Sequence, residues 1–246
     1  MSRTSTASDT TETWPVPRRV TGIVLFSCWM AILADGYDIG VIGAVLPALA
    51  EDAAWSLSPV ELGGLASWAL VGMLIGALFI GTLSDRVGRK RMLLVSMSIF
   101  TLMQLGAALA PTPEIFGLFR FLGGLGMGGI IPVAAALTIE FSAPRRRALN
   151  YGIMYSGYSL GIVVSALVAI LLLPHLGWRW VIAVGALPLL LIPVIAKALP
   201  ESLESLENRG RHDKAVALAD RLGIRPYIPT DLSLIHISEP TRRYAI

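Results

Sequence analysis

The chain is 246 residues long, 54% of them hydrophobic and 15% charged, with a formal net charge of +3 and a mean hydropathy of +0.68. So few charges among so many apolar residues exclude an ordinary water-soluble globule and describe a chain whose solvent is lipid. The single cysteine, Cys28, excludes a disulfide framework, and the small positive charge reflects clustered basic loops, with no nucleic-acid partner implied.

Residues 1–19 form a polar tail carrying Arg3, Arg18 and Arg19. An apolar segment over 20–49 follows, interrupted by Ala34-Asp-Gly-Tyr-Asp-Ile-Gly40. Arg18-Arg19 with 20–34 also matches the outline of a cleaved signal peptide, but the apolar stretch resumes after Tyr37, an extension that such a peptide does not need. Further segments cover 60–80, 92–110, 115–139, 149–173 and 181–199, joined by short connections at 51–59, 81–91, 111–114, 140–148 and 174–180. At about 1.5 Å per residue each is long enough for a hydrocarbon core of about 30 Å. Open chains satisfy their backbone groups in lipid only as helices, so the fold class is an all-α membrane protein with a six-helix transmembrane bundle over 20–199. Pro47, Pro132, Pro188 and Pro193 inside spans are tolerated in membranes.

Basic residues fix the orientation. The tail contributes three, the connection 81–91 contributes Arg86, Arg89, Lys90 and Arg91, and the connection 140–148 contributes Arg145, Arg146 and Arg147; the alternate connections hold only Arg179, beside Glu51, Asp52 and Glu114. Positive loops stay inside, which predicts cytoplasmic termini. After Pro200, residues 201–222 are polar and helix-prone, with Leu203, Leu206, Val216, Leu218 and Leu222 giving a partly amphipathic segment expected along the cytoplasmic surface. Residues 232–242 read LSLIHISEPTR, which resembles the translation of a transposon-type sequencing adapter. Residues 232–246, His236 included, are therefore set apart as a non-native tail, leaving 200–231 as the native segment after the sixth span. The chain is expected to be a fragment cut off after its sixth helix.

Charges inside spans carry the chemistry, because each costs roughly 2.5–3.5 kcal/mol at mid-membrane. Asp35 lies 15 residues from the inner start of span one, and Arg120 lies five residues from the outer start of span four. Both therefore fall about 8 Å from the outer face, where they can meet. Asp35 and Asp38 are three apart and share a helix face. Two close carboxylates in low dielectric cannot both ionise cheaply, so one is expected to hold a proton, while Arg120 favours the charged form. Such a set can exchange a proton for an anionic ligand; the plainer alternative is a structural ion pair, or acids in the outer headgroup layer.

Span four contains Phe121-Leu-Gly-Gly-Leu-Gly-Met-Gly-Gly129, which formally matches G-x-G-x-x-G. A dinucleotide site needs a preceding strand and a helix start, neither of which an apolar span provides. Close backbone approach explains these glycines, as it does Gly36/Gly40, Gly72/Gly76 and Gly157/Gly161 at i, i+4. Span five places Tyr151, Tyr155 and Tyr158 on one side. Tyr151 fits a membrane-surface belt; Tyr155 and Tyr158 lie deeper and either line a cavity with Tyr37 or pack in the core. No metal-ligand spacing, nucleophile–base arrangement or phosphate loop occurs, so neither cofactor nor enzymatic activity is expected.

Gly81-Thr-Leu-Ser-Asp-Arg-Val-Gly-Arg-Lys-Arg91 resembles the signature loop between helices 2 and 3 of the major facilitator superfamily. Arg120 with its glycine run is similar to that superfamily's helix-4 motif, and Pro200-Glu-Ser202 to the closing motif of several branches, although Leu203 stands where proline is usual. Asp35-Gly-Tyr-Asp38 narrows the likeness to the aromatic acid:H+ symporters, over residues 18–225. The resemblance implies the N-terminal half of a twelve-helix carrier, with helices 7–12 missing. It implies proton coupling at Asp35 and Asp38 and substrate binding at Arg120; Tyr37, Tyr155 and Tyr158 stay candidate lining read from their spacing. It also implies a cytoplasmic gate at Gly81, Asp85, Arg86, Gly88 and Arg89, with Glu140 as a partner for Arg89. The expected partners are a small aromatic acid, protons, the bilayer of a plasma (inner) membrane and the missing half. A sugar or organic-cation carrier of the same superfamily shares the loop but leaves the paired acids beside Arg120 unexplained. A non-transporting sensor or assembly factor would need a soluble signalling domain, which the short segment 201–231 does not offer.

Overall fold

The computed structural model describes residues 16–224, except for the surroundings of residues 81, 82 and 85. The side-chain placement of Asp85, the surroundings of Gly81 and the adapter-like tail thus lie outside the described residues. Ten α-helices follow in order, with no strand among the described residues: α1 (Arg18–Ala50), α2 (Pro59–Val87), α3 (Arg89–Ala108), α4 (Pro113–Met127), α5 (Ile130–Glu140), α6 (Arg147–Leu176), α7 (Trp178–Val184), α8 (Pro188–Ala198), α9 (Leu203–Asn208) and α10 (His212–Leu222). Six stretches are long and apolar enough to cross a membrane, with α4–α5 and α7–α8 each forming one span.

Local chemistry explains the ends and breaks. Ser58 and Glu61 form a capping box in front of Pro59, with Glu61 Oε2 accepting from Ser58 N at 2.8 Å, so α2 starts sharply. The sequence predicts a charged connection at 81–91; instead α2 runs helically to Val87 and α3 begins at Arg89, leaving Gly88 as a one-residue turn. Its φ of +116° suits only glycine. Span four breaks at Gly128-Gly129, which puts Pro132 in the first turn of α5, where a missing N–H leaves no bond unmade. Span six breaks at 185–187, and Pro188 opens α8.

The spans pack in pairs, α1 along α6 and α2 along α4. The glycines at i, i+4 do bring backbones together: a Cβ at Gly36 would overlap the Tyr158 carbonyl, one at Gly161 the Leu33 carbonyl, and ones at Gly72 and Gly124 the backbones of Phe121 and Ala69. α1 and the α4–α5 span are the most enclosed, whereas α2 and α6 leave most of their surface outside the described bundle.

Two apolar clusters fill the interior. One, toward the end that carries the basic residues, includes Cys28, Ile32, Leu93, Met97, Phe100, Met127, Leu137 and Met154. The other, toward the acidic end, includes Val41, Val45, Trp55, Phe116, Trp178 and Ile182. At the acidic end Trp178 Nε1 donates to Asp52 Oδ2 at 3.0 Å and stacks edge-on with Trp55 at 4.9 Å between centroids. Arg179 lies over the Trp178 ring at 4.4 Å and donates to the carbonyls of Ala108 (3.2 Å) and Ala110 (2.7 Å). The lone basic residue of that end thus ties three connections together.

Gly161→Ala should lower stability by about 1–3 kcal/mol, because overpacking at a backbone contact forces the α1–α6 pair apart. Gly43→Ala, with nothing within 4 Å of the added carbon, should be nearly neutral. Thermal melting of the purified protein tests the contrast, and equal melting of the two variants would contradict the packing argument.

Candidate functional site

A polar layer separates the two apolar clusters. In it Arg120 of α4 donates through Nη1 to Asp38 Oδ1 of α1, a buried ion pair with 4% and 0% side-chain exposure. The same Nη1 donates to Gln104 Oε1 of α3 at 3.2 Å. Span arithmetic sets Arg120 level with Asp35, yet the pair forms with Asp38, one helical turn nearer the acidic end. Asp35 is also buried, and neither of its oxygens has a hydrogen-bond partner. Asp38 Oδ2, Arg120 Nε and Nη2, and Gln104 Nε2 are unpartnered as well. The two acids therefore differ: one is committed to a guanidinium and the other is free. The layer keeps open acceptors on α1 and open donors on α4 in one low-dielectric place, where an anion or a proton gains much by filling them.

The tyrosines divide between two surroundings. Tyr37 donates through its hydroxyl to the Val181 carbonyl at 2.6 Å, buried in the acidic-end cluster. Tyr155 stacks on Tyr158 at 5.7 Å and on Tyr151 at 6.0 Å, nearly parallel in both cases. The backbone of Tyr158 lies against Gly36, the residue next to Asp35. The structure thus brings Tyr158 to the acids but sets Tyr37 apart from the stacked pair, with its hydroxyl already engaged.

At the basic end Arg89 Nη1 contacts Glu140 Oε2 at 3.0 Å and Glu204 Oε2 at 2.8 Å. Glu140 accepts three further bonds, from Ser202 Oγ (2.6 Å), Leu203 N (2.7 Å) and Glu204 N (3.2 Å), so it holds the start of α9. Glu201 accepts from Lys90 N at 3.0 Å, and Arg209 donates to the Val87 carbonyl at 2.7 Å. A Cβ at Gly88 would lie 2.8 Å from Glu201 Oε2, the movable end of a side chain, so it is the φ of +116° that requires glycine there. Arg86 is exposed in the last turn of α2. Segment 201–222 is more than a surface strip: Leu203 and Ala219, with Ile224 just beyond it, join the basic-end core.

Sequence reasoning missed Gln104, Ser202, Glu204 and Arg209 as members of these sets. Gln104 has a legible signal, an amide in the middle of an apolar span. Ser202 lies in the Pro200-Glu-Ser202 motif, which gave it no partner, and Glu204 and Arg209 sit in a charged stretch where no periodicity singles them out.

The model of the Major Facilitator Superfamily matches residues 28–236. The chain belongs to this superfamily. It is 36% identical over 224 residues to a gallate transporter of Pseudomonas putida, covering 90% of this chain and 49% of that protein. It is 37% identical over 195 residues to a niacin transporter of Acinetobacter baylyi, covering 79% and 44%. The fold matches the proton:xylose symporter XylE with a TM-score of 0.72 at 23% identity, over 89% of this chain and 52% of that one. The superfamily chain described here thus spans about half the length of the curated relatives it matches.

Asp38→Asn should destabilise this major facilitator bundle, because removing one partner of a buried pair strands the other charge, at a cost of about 3–5 kcal/mol, less whatever the amide still accepts. Asp35→Asn breaks no hydrogen bond, since neither Asp35 oxygen has a partner, and should melt within about a degree or two of wild type. A larger loss in Asp35→Asn than in Asp38→Asn would contradict this division of roles.

Proposed function

We propose that the chain is the N-terminal half of a proton-coupled carrier that takes up small aromatic carboxylates by alternating access. The observation that carries this reading is the free acid Asp35 beside the Asp38–Arg120 pair. An unpartnered carboxyl in low dielectric gains most from binding a proton, so Asp35 is the proton carrier. Arg120, held on one nitrogen by Asp38 and Gln104, keeps Nε and Nη2 open as a planar fork for a substrate carboxylate. Tyr155 and Tyr158 offer stacked rings on α6 for an aromatic body. The relatives named as gallate and niacin transporters, both aromatic acids, support this substrate class.

Basic residues gather at the end that carries both described termini, which supports cytoplasmic termini in a plasma (inner) membrane. A second six-helix half is needed to complete the site and to rock against this one. The Arg89–Glu140–Glu204 cluster is the cytoplasmic gate, with Asp85 as a further acid assigned to it from the signature loop.

In the carrier completed by its second half, Asp35→Asn should still bind substrate but lose proton-driven accumulation. Arg120→Lys should weaken aromatic-acid binding nearly as much as Arg120→Ala, since an ammonium cannot form the bidentate contact. Counterflow and uphill uptake of labelled 4-hydroxybenzoate in proteoliposomes measure both. Full uphill accumulation by Asp35→Asn, or normal affinity in Arg120→Lys, would sink the respective assignment.

For the gate, Glu140→Gln should slow transport several-fold while leaving substrate affinity near wild type, because it weakens the Arg89 contact and the hold on α9 far from the ligand. Asp85→Asn should act likewise. Rates at matched protein level, set against binding constants, give the readout; unchanged rates in both variants mean that these acids only balance local charge.

A further inference from the structure

We propose that Gln104 is the positioning residue for Arg120, and that it ties the substrate site to the break in span six. The proposal rests on the reading of Arg120 as the anchor for the substrate carboxylate. Gln104 is 3% exposed, and its Oε1 shares Arg120 Nη1 with Asp38. This fixes the amide orientation, since turning it over would set a donor against a donor. The planar amide then carries Nε2 to the opposite side, where it has no acceptor. That side is Gly185: a Cβ there would lie 2.7 Å from Gln104 Nε2 and 3.0 Å from its Cγ.

Gly185 opens the three-residue turn between α7 and α8. The turn is held by short-range bonds from Gly185 N to the Ile182 carbonyl (2.9 Å), Ala186 N to Ala183 (2.9 Å) and Leu187 N to Val184 (3.0 Å). A side chain at this position would displace the Gln104 amide. Gln104 therefore touches the guanidinium with one end of its amide and the interruption of a span with the other.

The physical consequence follows from what Asp38 does during a cycle. When Asp38 or an incoming carboxylate redistributes the charge around Arg120, the ionic partner of Nη1 weakens. Gln104 Oε1 is neutral and stays, so Nη1 keeps an acceptor and the fork keeps its aim. Without it a buried guanidinium re-orients toward whichever acceptor remains, and the donors Nε and Nη2 no longer point at the substrate. A shift of the α7–α8 turn moves Gln104 and is felt at the same fork.

The test uses the completed carrier and 4-hydroxybenzoate as probe. Gln104→Met keeps length and approximate volume but removes the acceptor. It should raise the KM for the acid about tenfold, the scale of one hydrogen bond to a charged group, with the saturating rate changed less than twofold. A role in packing alone would move rate and melting temperature instead. Gly185→Ala, which displaces the amide from the other side, should raise KM in the same way, and the double variant should be no worse than either single. A KM within twofold of wild type in Gln104→Met, or multiplying losses in the double variant, overturns the proposal. Should Gln104→Met fail to reach the membrane, Gln104→Glu carries the test. It keeps shape and acceptor but gives Arg120 a second negative partner, so anion affinity should fall, and wild-type affinity overturns the proposal. Binding of 4-hydroxybenzoate by the wild type tests the functional reading separately. If another carboxylate binds instead, the same ratios are read with that one; if none binds, the reading of Arg120 and this proposal fall together.

Discussion

The buried pair between Arg120 and Asp38 is the constraint around which the bundle is organised. A guanidinium and a carboxylate taken into low dielectric each lose several kcal/mol of hydration, which only close, well-directed partners offset. Their meeting requires α1 and α4 to converge at one depth, and α3 must come near enough for Gln104 to share the same nitrogen. The glycine contacts serve this convergence from outside. By letting α6 approach α1 and α2 approach α4 at backbone distance, they leave little freedom for the two central spans to slide. The apolar clusters above and below the polar layer exclude water from it, which strengthens the pair and raises the cost of leaving it unmade.

Both ends of the half are fastened by contacts of its own. At the acidic end Trp55, Phe116, Trp178 and Arg179 join three connections. At the basic end Glu140 holds the start of α9 while Arg89 bridges Glu140 and Glu204. A unit stapled at both ends around a buried ion pair suits rigid-body movement against a second unit better than internal rearrangement. The outer sides of α2, α6 and the α7–α8 span are open in this bundle, and the proposed second half or lipid would lie there. The polar layer, by contrast, keeps several donors and acceptors unmade, which is the usual mark of a place where structure yields to function.

Much of this was legible in the chain alone. Spans follow from the length of apolar runs against bilayer thickness, a constraint so strong that propensity hardly enters. Glycines at i, i+4 announce close approach because only a missing Cβ allows it, and Asp35, Asp38 and Arg120 stand out because charge in lipid is costly. Break points were less legible. Gly88 alone makes the turn where a longer charged connection was expected, because a helix that leaves the hydrocarbon can continue through polar residues until a backbone conformation stops it.

What the sequence by itself determined is the class of structure and the set of special residues, since hydrophobic length, charge cost and glycine spacing are local properties. What only the tertiary structure decided is pairing: that Arg120 takes Asp38 and leaves Asp35 free, that Gln104 joins them, that Tyr37 turns to Val181, and that Arg89 shares Glu140 with the start of α9. Depth read from span ends is uncertain by about one helical turn, some 5 Å, which is the spacing between the two acids. Rotation of each helix about its axis is set by packing against its neighbours. A choice between residues one turn apart therefore belongs to the assembled bundle.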